Sequence, residues 1–234
     1  MALERDATER RQAPAAVRLR DPAGFDQFAA LPLEDEVPGA PAEQLSADQY
    51  LSDFWPYFQK LEGAFWKLEC RQSFSEPKNP SWRALARGDW AEALRIIDET
   101  ADEIQAPVLQ APGFPMHRVR IVRRPYTPYL RWELYFIRLR AQAGERIRVL
   151  DATALGNRLL PELVILGSAV MYEVRYDDTG TLSGARKIRD PGLITSCRHE
   201  VEDLYSHAED LLTFLDNDQA ALPPPSPTAD RELR

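Results

Sequence analysis

His117-Arg-Val-Arg-Ile-Val-Arg123 alternates between apolar and charged residues, and the stretch after it, Thr127-Pro-Tyr-Leu-Arg-Trp-Glu-Leu-Tyr-Phe-Ile137, changes period. The first run has the two-residue repeat of a strand: Val119 and Ile121 share one face, and Arg118 and Arg120 share the other. The second has the repeat of a helix, with Thr127 as its cap, Pro128 at its first position, and Leu130, Leu134, Ile137 and Ala141 along one side. Gly144 closes that helix and Ile147 to Leu150 starts a further short strand. Strand, helix, strand in this order predicts an α/β fold, and the arginines predict that the first strand is half exposed.

Outward from this unit the same two periods recur. Upstream, Ser46 caps a helix with apolar positions Tyr50, Phe54, Tyr57 and Leu61, interrupted by Pro56 and ended by Gly63. Ala64 to Arg71 alternates as a strand, with Phe65 and Lys67 on one face and Trp66, Leu68 and Cys70 on the other. A short helix over 81–87 stops at Gly88, and Asp89 with Glu92 opens another, whose apolar stripe Pro107 should end. Downstream, residues 163–166 and 169–176 flank a two-residue Gly167-Ser168 turn, and Asp177 to Gly180 turns into a strand at 182–188. Asp190 caps a last long helix on which Ile194, Cys197, Val201, Leu204, Ala208 and Leu211 keep helical spacing. The expected architecture is α/β: a mixed sheet of about six strands flanked by helices, with a helical N-terminal lead and a long C-terminal helix. Residues 1–45 read as a flexible arm with Phe25, Phe28 and Leu31 as a candidate docking patch, 46–215 as one α/β domain, and 216–234 as a disordered Pro-rich tail.

Of the 234 residues, 44% are apolar and 28% charged, which is a globular composition. No apolar run reaches the roughly 18–20 residues of a membrane span. The N-terminal segment lacks the apolar core of a secretory signal, and no lipidation box is present, so the expected location is cytoplasmic, with no membrane partner. Cys70 and Cys197 exclude a disulfide scaffold; both fall on apolar faces, as buried thiols or as one half of a Cys–His pair. The net charge of −8 argues against direct binding of nucleic acid. No dinucleotide or phosphate glycine loop, nucleophile elbow or His-Glu-x-x-His motif occurs, so no cofactor and no metal site are expected. His199 and His207 lie eight apart on one helix and cannot share a metal.

Charge is the more informative pattern. Between His117 and Arg148 nine arginines stand against only Glu133 and Glu145, while residues 34–53 and 199–218 carry acids and no Lys or Arg. Either acidic helices of the same chain neutralise the arginines, or the arginines hold an anion, for which the planar guanidinium is suited. The expected balance has the 199–218 acids neutralising part of the stretch and leaves Arg131 for a small anion or an acidic partner. Two clusters mix rigid aromatics with fixed charges, and the candidate ligand-binding residues are drawn from them: Trp66, Glu69 and Arg71 in the first, Tyr126, Tyr129, Arg131 and Glu133 in the second.

The segments Phe65-Trp-Lys-Leu-Glu69, Tyr129-Leu-Arg-Trp-Glu133, Gly144-Glu-Arg-Ile-Arg-Val149, Pro161-Glu-Leu-Val-Ile-Leu-Gly167, Val174-Arg-Tyr-Asp-Asp-Thr-Gly180 and Asp190-Pro191 resemble an uncharacterised actinobacterial family, over roughly residues 60–212. Its members are often encoded beside helix-turn-helix regulators, which implies such a regulator as a partner and brings no catalytic residue. The layout from 117 to 212 is also distantly similar to one half of a phospholipase D-like domain. That fold's catalytic His-x-Lys-x4-Asp motif is absent: two residues after His117, His199 and His207 stand Val119, Val201 and Glu209. Together these readings predict a non-catalytic ligand- or partner-binding module in bacterial regulation, its partner a helix-turn-helix regulator or a small acidic ligand. The alternative is an enzyme of specialised metabolism acting on a small acidic substrate in an Arg/Tyr/Trp-lined pocket.

Overall fold

The computed structural model describes residues 31–111 and 113–224. In chain order its elements are α1 (Pro32–Asp35), β1 (Glu43–Ser46), α2 (Ala47–Gln59), β2 (Phe65–Glu69), α3 (Pro80–Ala86), α4 (Trp90–Glu99), α5 (Ala101–Leu109), β3 (Met116–Val122), α6 (Pro128–Gln142), β4 (Arg146–Asp151), β5 (Leu163–Leu166), β6 (Val170–Tyr176), β7 (Leu182–Ile188), α7 (Pro191–His207), β8 (Glu209–Asp210) and α8 (Leu211–Asn217). All eight strands join one mixed sheet in the order β1-β7-β6-β5-β2-β3-β4-β8. Strands β2, β3 and β4 run parallel, linked by helical crossovers, and every other pairing is antiparallel.

Helices cover both faces of the sheet. Trp66, Leu68, Val119, Ile121, Leu163, Ile165 and Ile188 pack on one face against Leu193, Ile194, Val201 and Leu204 of α7 and against Leu33 and Val37. On the other face, Phe65, Met116, Val164 and Tyr172 meet Tyr50 and Phe58 of α2, and Ile147 and Val149 meet Leu130, Leu134 and Ile137 of α6. Helices α3 to α5 pack on the outer side of α6 around Trp132 and Tyr129. The expected caps hold the helices in register: Ser46 and Gln49 form a reciprocal capping box, Asp89 accepts from Glu92 N–H, Thr127 from Leu130 N–H and Asp190 from Leu193 N–H.

The α/β class is as expected, with two strands more than the six read from sequence. Both extra strands are edges, and neither carries an apolar alternation: β1 is Glu-Gln-Leu-Ser and β8 is Glu-Asp. Such polar edges also resist pairing with other chains. β3 is not half exposed: it lies between β2 and β4, and both Arg118 and Arg120 are buried. The turn between β5 and β6 has three residues, since Leu166 pairs with Val170. The helix opened by Asp89 ends before Pro107, at Thr100, whose hydroxyl bonds back to Ile96 O at 2.8 Å; α5 then runs through Pro107. Helix α2 likewise continues through Pro56. The last helix stops at His207, because Glu209 and Asp210 pair with β4 and Asp210 then caps α8.

The segment read as an N-terminal arm lies outside the described residues up to 30, including Phe25 and Phe28. Its remainder is built into the fold: Leu33 and Val37 are fully buried, and Leu33 N–H donates to Glu200 Oε2 of α7 at 3.0 Å. At the other end, Ala221 is buried and Leu222 packs on α6, so the described chain stays on the domain beyond 215.

Candidate functional site

Parallel pairing sets Lys67 beside Arg118 and Glu69 beside Arg120, all on the sheet face under α6. Burying cations there requires anions at contact, and they come from the sheet and from α6 and its C-terminal turn. Arg118 donates from Nη1 to Glu69 Oε2 at 2.6 Å and from Nε to Glu145 Oε1 at 2.8 Å. Arg140 Nε reaches the other oxygen of Glu145, and Lys67 Nζ lies 2.5 Å from Glu69 Oε1. Arg120, with no exposed surface, donates from Nε to Glu133 Oε2 at 2.8 Å and from Nη1 to the carbonyls of Glu69 and Ile121. The Tyr129 hydroxyl donates to Glu76 Oε1 at 2.6 Å.

Burial pushes the carboxyls of this network up, and neighbouring cations pull them down. For Glu69 the charges of Arg118, Lys67 and Arg120 win and hold it below the usual carboxylate range; for Glu145, Arg118 and Arg140 do the same. At Glu133 burial outweighs Arg120 and the carboxyl stays raised. The arginines of β3 are therefore neutralised by Glu69, Glu133 and Glu145, and not by the 199–218 acids. Those acids meet the rim instead, where Arg124 Nη2 lies 2.5 Å from Asp218.

An open cleft of about 450 Å³ lies where the parallel strand β2 ends. Its walls are Cys70 and Arg71 after β2, Leu160 and Glu162 before β5, Val174, Arg175 and Tyr176 at the end of β6, and Ser183 of β7. The carboxyl ends of parallel strands are where open α/β sheets place ligands. The floor is tied down locally: Glu162 Oε1 accepts from the backbone N–H of Cys70 at 2.9 Å and of Arg71 at 2.6 Å. The Gln72 side chain bridges Cys70 O and Ile121 O, and Ser75 N–H bonds Gly180 O.

Arg71 is unlike Arg118, Arg120 and Arg140, each of which meets a carboxylate. Among the described residues its guanidinium makes no hydrogen bond or ion pair; its Nε is buried without a partner and the group lies over the Tyr176 ring at 5.7 Å. Arg175 is half exposed, its Nε 3.6 Å from Glu173. Burial, reinforced by the negative charge of Glu69, raises the Glu162 carboxyl to about 7. Burial also pushes the Cys70 thiol well up, and the Cys197 thiol to about 12, so neither is a ready thiolate nucleophile. Among the described residues no three His, Cys, Asp or Glu side chains converge as a metal site, and no helix is long and apolar enough to cross a membrane.

The seven residues proposed from sequence separate into four places. Glu69, Tyr129 and Glu133 belong to the buried network. Trp66 lies on the opposite face of β2, stacked on His117 with ring centroids 4.1 Å apart. Tyr126 and Arg131 anchor the C-terminal segment, the hydroxyl to Asp218 and Nε to Leu222 O, each at 2.6 Å. Arg71 alone lines the cleft. Its companions Glu162, Arg175, Tyr176 and Ser183 carry no spacing signal, being single residues at the ends of strands that only the sheet order brings together.

The fold and these sites define a three-layer α/β domain with a neutralised charge network behind a polar cleft. The chain belongs to the family described as a domain of unknown function (DUF6879), whose model matches residues 52–216. No curated protein matches it. Among solved structures, that of TrmBL2, an archaeal chromatin protein described as showing a novel mode of DNA binding, is similar at 12% identity and a TM-score of 0.38, over 76% of this chain and 56% of that one. The chain thus spans little more than half the length of that structure, and so distant a likeness carries no argument about function.

Proposed function

We propose that this chain is a non-catalytic binding module of bacterial regulation, acting in the cytoplasm, and that its ligand is a small acidic molecule held in the cleft at the end of β2. The observation that carries this reading is Arg71. Arg118, Arg120 and Arg186 in the core each have a carboxylate or carbonyl, whereas Arg71, at the wall of the cleft, has a buried Nε with no acceptor among the described residues. A buried donor left unpaired costs on the order of 1–3 kcal/mol, which a ligand oxyanion would recover. Arg175 adds a second positive group at the cleft wall. The resemblance to proteins encoded beside helix-turn-helix regulators supports a regulator as the partner that reads the bound state.

One observation favours the alternative, an enzyme acting on a small acidic substrate: a carboxyl near 7 in a cleft is suited to general acid–base work. Calorimetry with small carboxylates on the wild-type chain and on Arg71→Ala tests the binding reading. Saturable binding that Arg71→Ala weakens about tenfold, with the carboxylate unchanged after incubation, is the expected result. Turnover that Glu162→Gln abolishes would favour the enzyme instead, and binding indifferent to Arg71 would remove the cleft from the account.

A further inference from the structure

We infer that the cleft takes a small zwitterion, a molecule of amino-acid size bearing both a carboxylate and an amine, rather than a simple anion. This inference rests on the ligand-binding reading above and adds the chemical class. The cleft offers two complementary charges from one stretch of backbone. Glu162 Oε1 is fixed by two backbone N–H groups, one of them that of Arg71 itself at 2.6 Å, while Oε2 takes no hydrogen bond among the described residues. The Arg71 guanidinium, starting from the same residue, lies over Tyr176 and forms no ion pair with that carboxylate. Acceptor and donor are thus held apart, each with capacity left over, at the edge of one cavity of about 450 Å³. Above pH 7, where Glu162 is ionised, a ligand carrying only negative charge would satisfy Arg71 and face the carboxylates of Glu162 and, behind it, Glu69. An ammonium group a few bonds from the ligand carboxylate would donate to Glu162 Oε2 and remove that repulsion. Leu160, Val174 and the Tyr176 ring supply an apolar wall for the ligand's side chain.

Saturation-transfer NMR on the full chain at pH 8, with L-phenylalanine, 3-phenylpropanoate and phenethylamine as probes at millimolar concentration, tests this. The three share a ring and differ only in their charges. L-phenylalanine should bind about tenfold more tightly than 3-phenylpropanoate. Glu162→Gln, which keeps an oxygen for the two N–H donors, should bring that ratio close to one. Arg71→Ala should weaken both carboxylates and leave phenethylamine unchanged. Equal or tighter binding of 3-phenylpropanoate to the wild-type chain, a comparison that needs no variant, overturns the zwitterion inference and leaves the anion reading standing. Failure of both carboxylates to bind, or their indifference to Arg71→Ala, overturns the anion reading and this inference with it.

Discussion

Arg120 and Arg71 are chemically the same residue with opposite roles, and the difference is whether an acceptor is already present. Arg120 is enclosed by Glu133 and two carbonyls, so Arg120→Leu leaves a buried carboxylate without its cation and should cost about 3–5 kcal/mol. Adding Glu133→Leu should restore much of the loss, which denaturant unfolding of the two variants would show; equal instability of single and double variants would contradict the pairing. Arg71→Ala removes no hydrogen bond or ion pair among the described residues; it relieves an unpaired buried donor, worth about 1–3 kcal/mol, against the loss of the contact with the Tyr176 ring, and should not lower stability. Glu162 makes stability depend on pH. Its folded carboxyl near 7 lies above the ordinary 4.5, so the folded state keeps a proton that the unfolded chain releases. Stability from this group is complete below about 4.5 and is lost as pH rises through 7. Glu69 and Glu145, held low, act in the opposite sense and lose their contribution only as acid protonates them. Relative to wild type, Glu162→Gln should therefore gain stability between pH 5 and 8, by up to about 3 kcal/mol; a constant difference across that window would count against it. The alternation at 117–123 identified which residues share a face, and nothing in it said whether that face is wet. Arginines normally mean water, and here the compensating glutamates lie 13 to 49 residues away along the chain.

At the scale of elements, helices were legible because their caps are local chemistry. Ser46, Thr127 and Asp190 each begin the helix that the sequence assigned to them. The edge strands were not legible, because pairing at an edge needs backbone groups and hardly any apolar side chains. Strand β1 depends instead on a close approach at Gly184, where φ is +153° and an added Cβ would lie 2.1 Å from Leu45 O. Gly184→Ala should accordingly detach β1 and speed amide exchange over Glu43–Ser46, while β2 to β4 keep their protection. Protection unchanged along β1 would show that the strand is held by something other than this approach.

For the molecule as a whole, the parallel order β2-β3-β4 and the antiparallel return through β5, β6 and β7 create the cleft, and sheet order is what a single sequence hides. Strand lengths and faces can be read residue by residue, whereas the meeting of Arg71, Glu162 and Tyr176 depends on which strands are neighbours. We propose that the folding unit begins near residue 32 and not at 46, since Leu33 and Val37 sit in the core against α7 and Glu34 holds Arg158 at 2.8 Å. A chain starting at residue 46 should lose about 1.5–3 kcal/mol for each of these two side chains, visible as a lower melting temperature. A melting temperature equal to that of the full chain would put the boundary back at 46.

The central claim, that the cleft at the end of β2 is the binding site, is tested most directly by titrating the isotope-labelled chain with 3-phenylpropanoate and following backbone amide shifts. The account predicts saturable shifts grouped at Arg71, Glu162, Arg175, Tyr176 and Ser183, and a titration weakened about tenfold in Arg71→Ala. Shifts that spread over exposed arginines and grow without saturation, or a grouped set whose affinity is unchanged in Arg71→Ala, would contradict it.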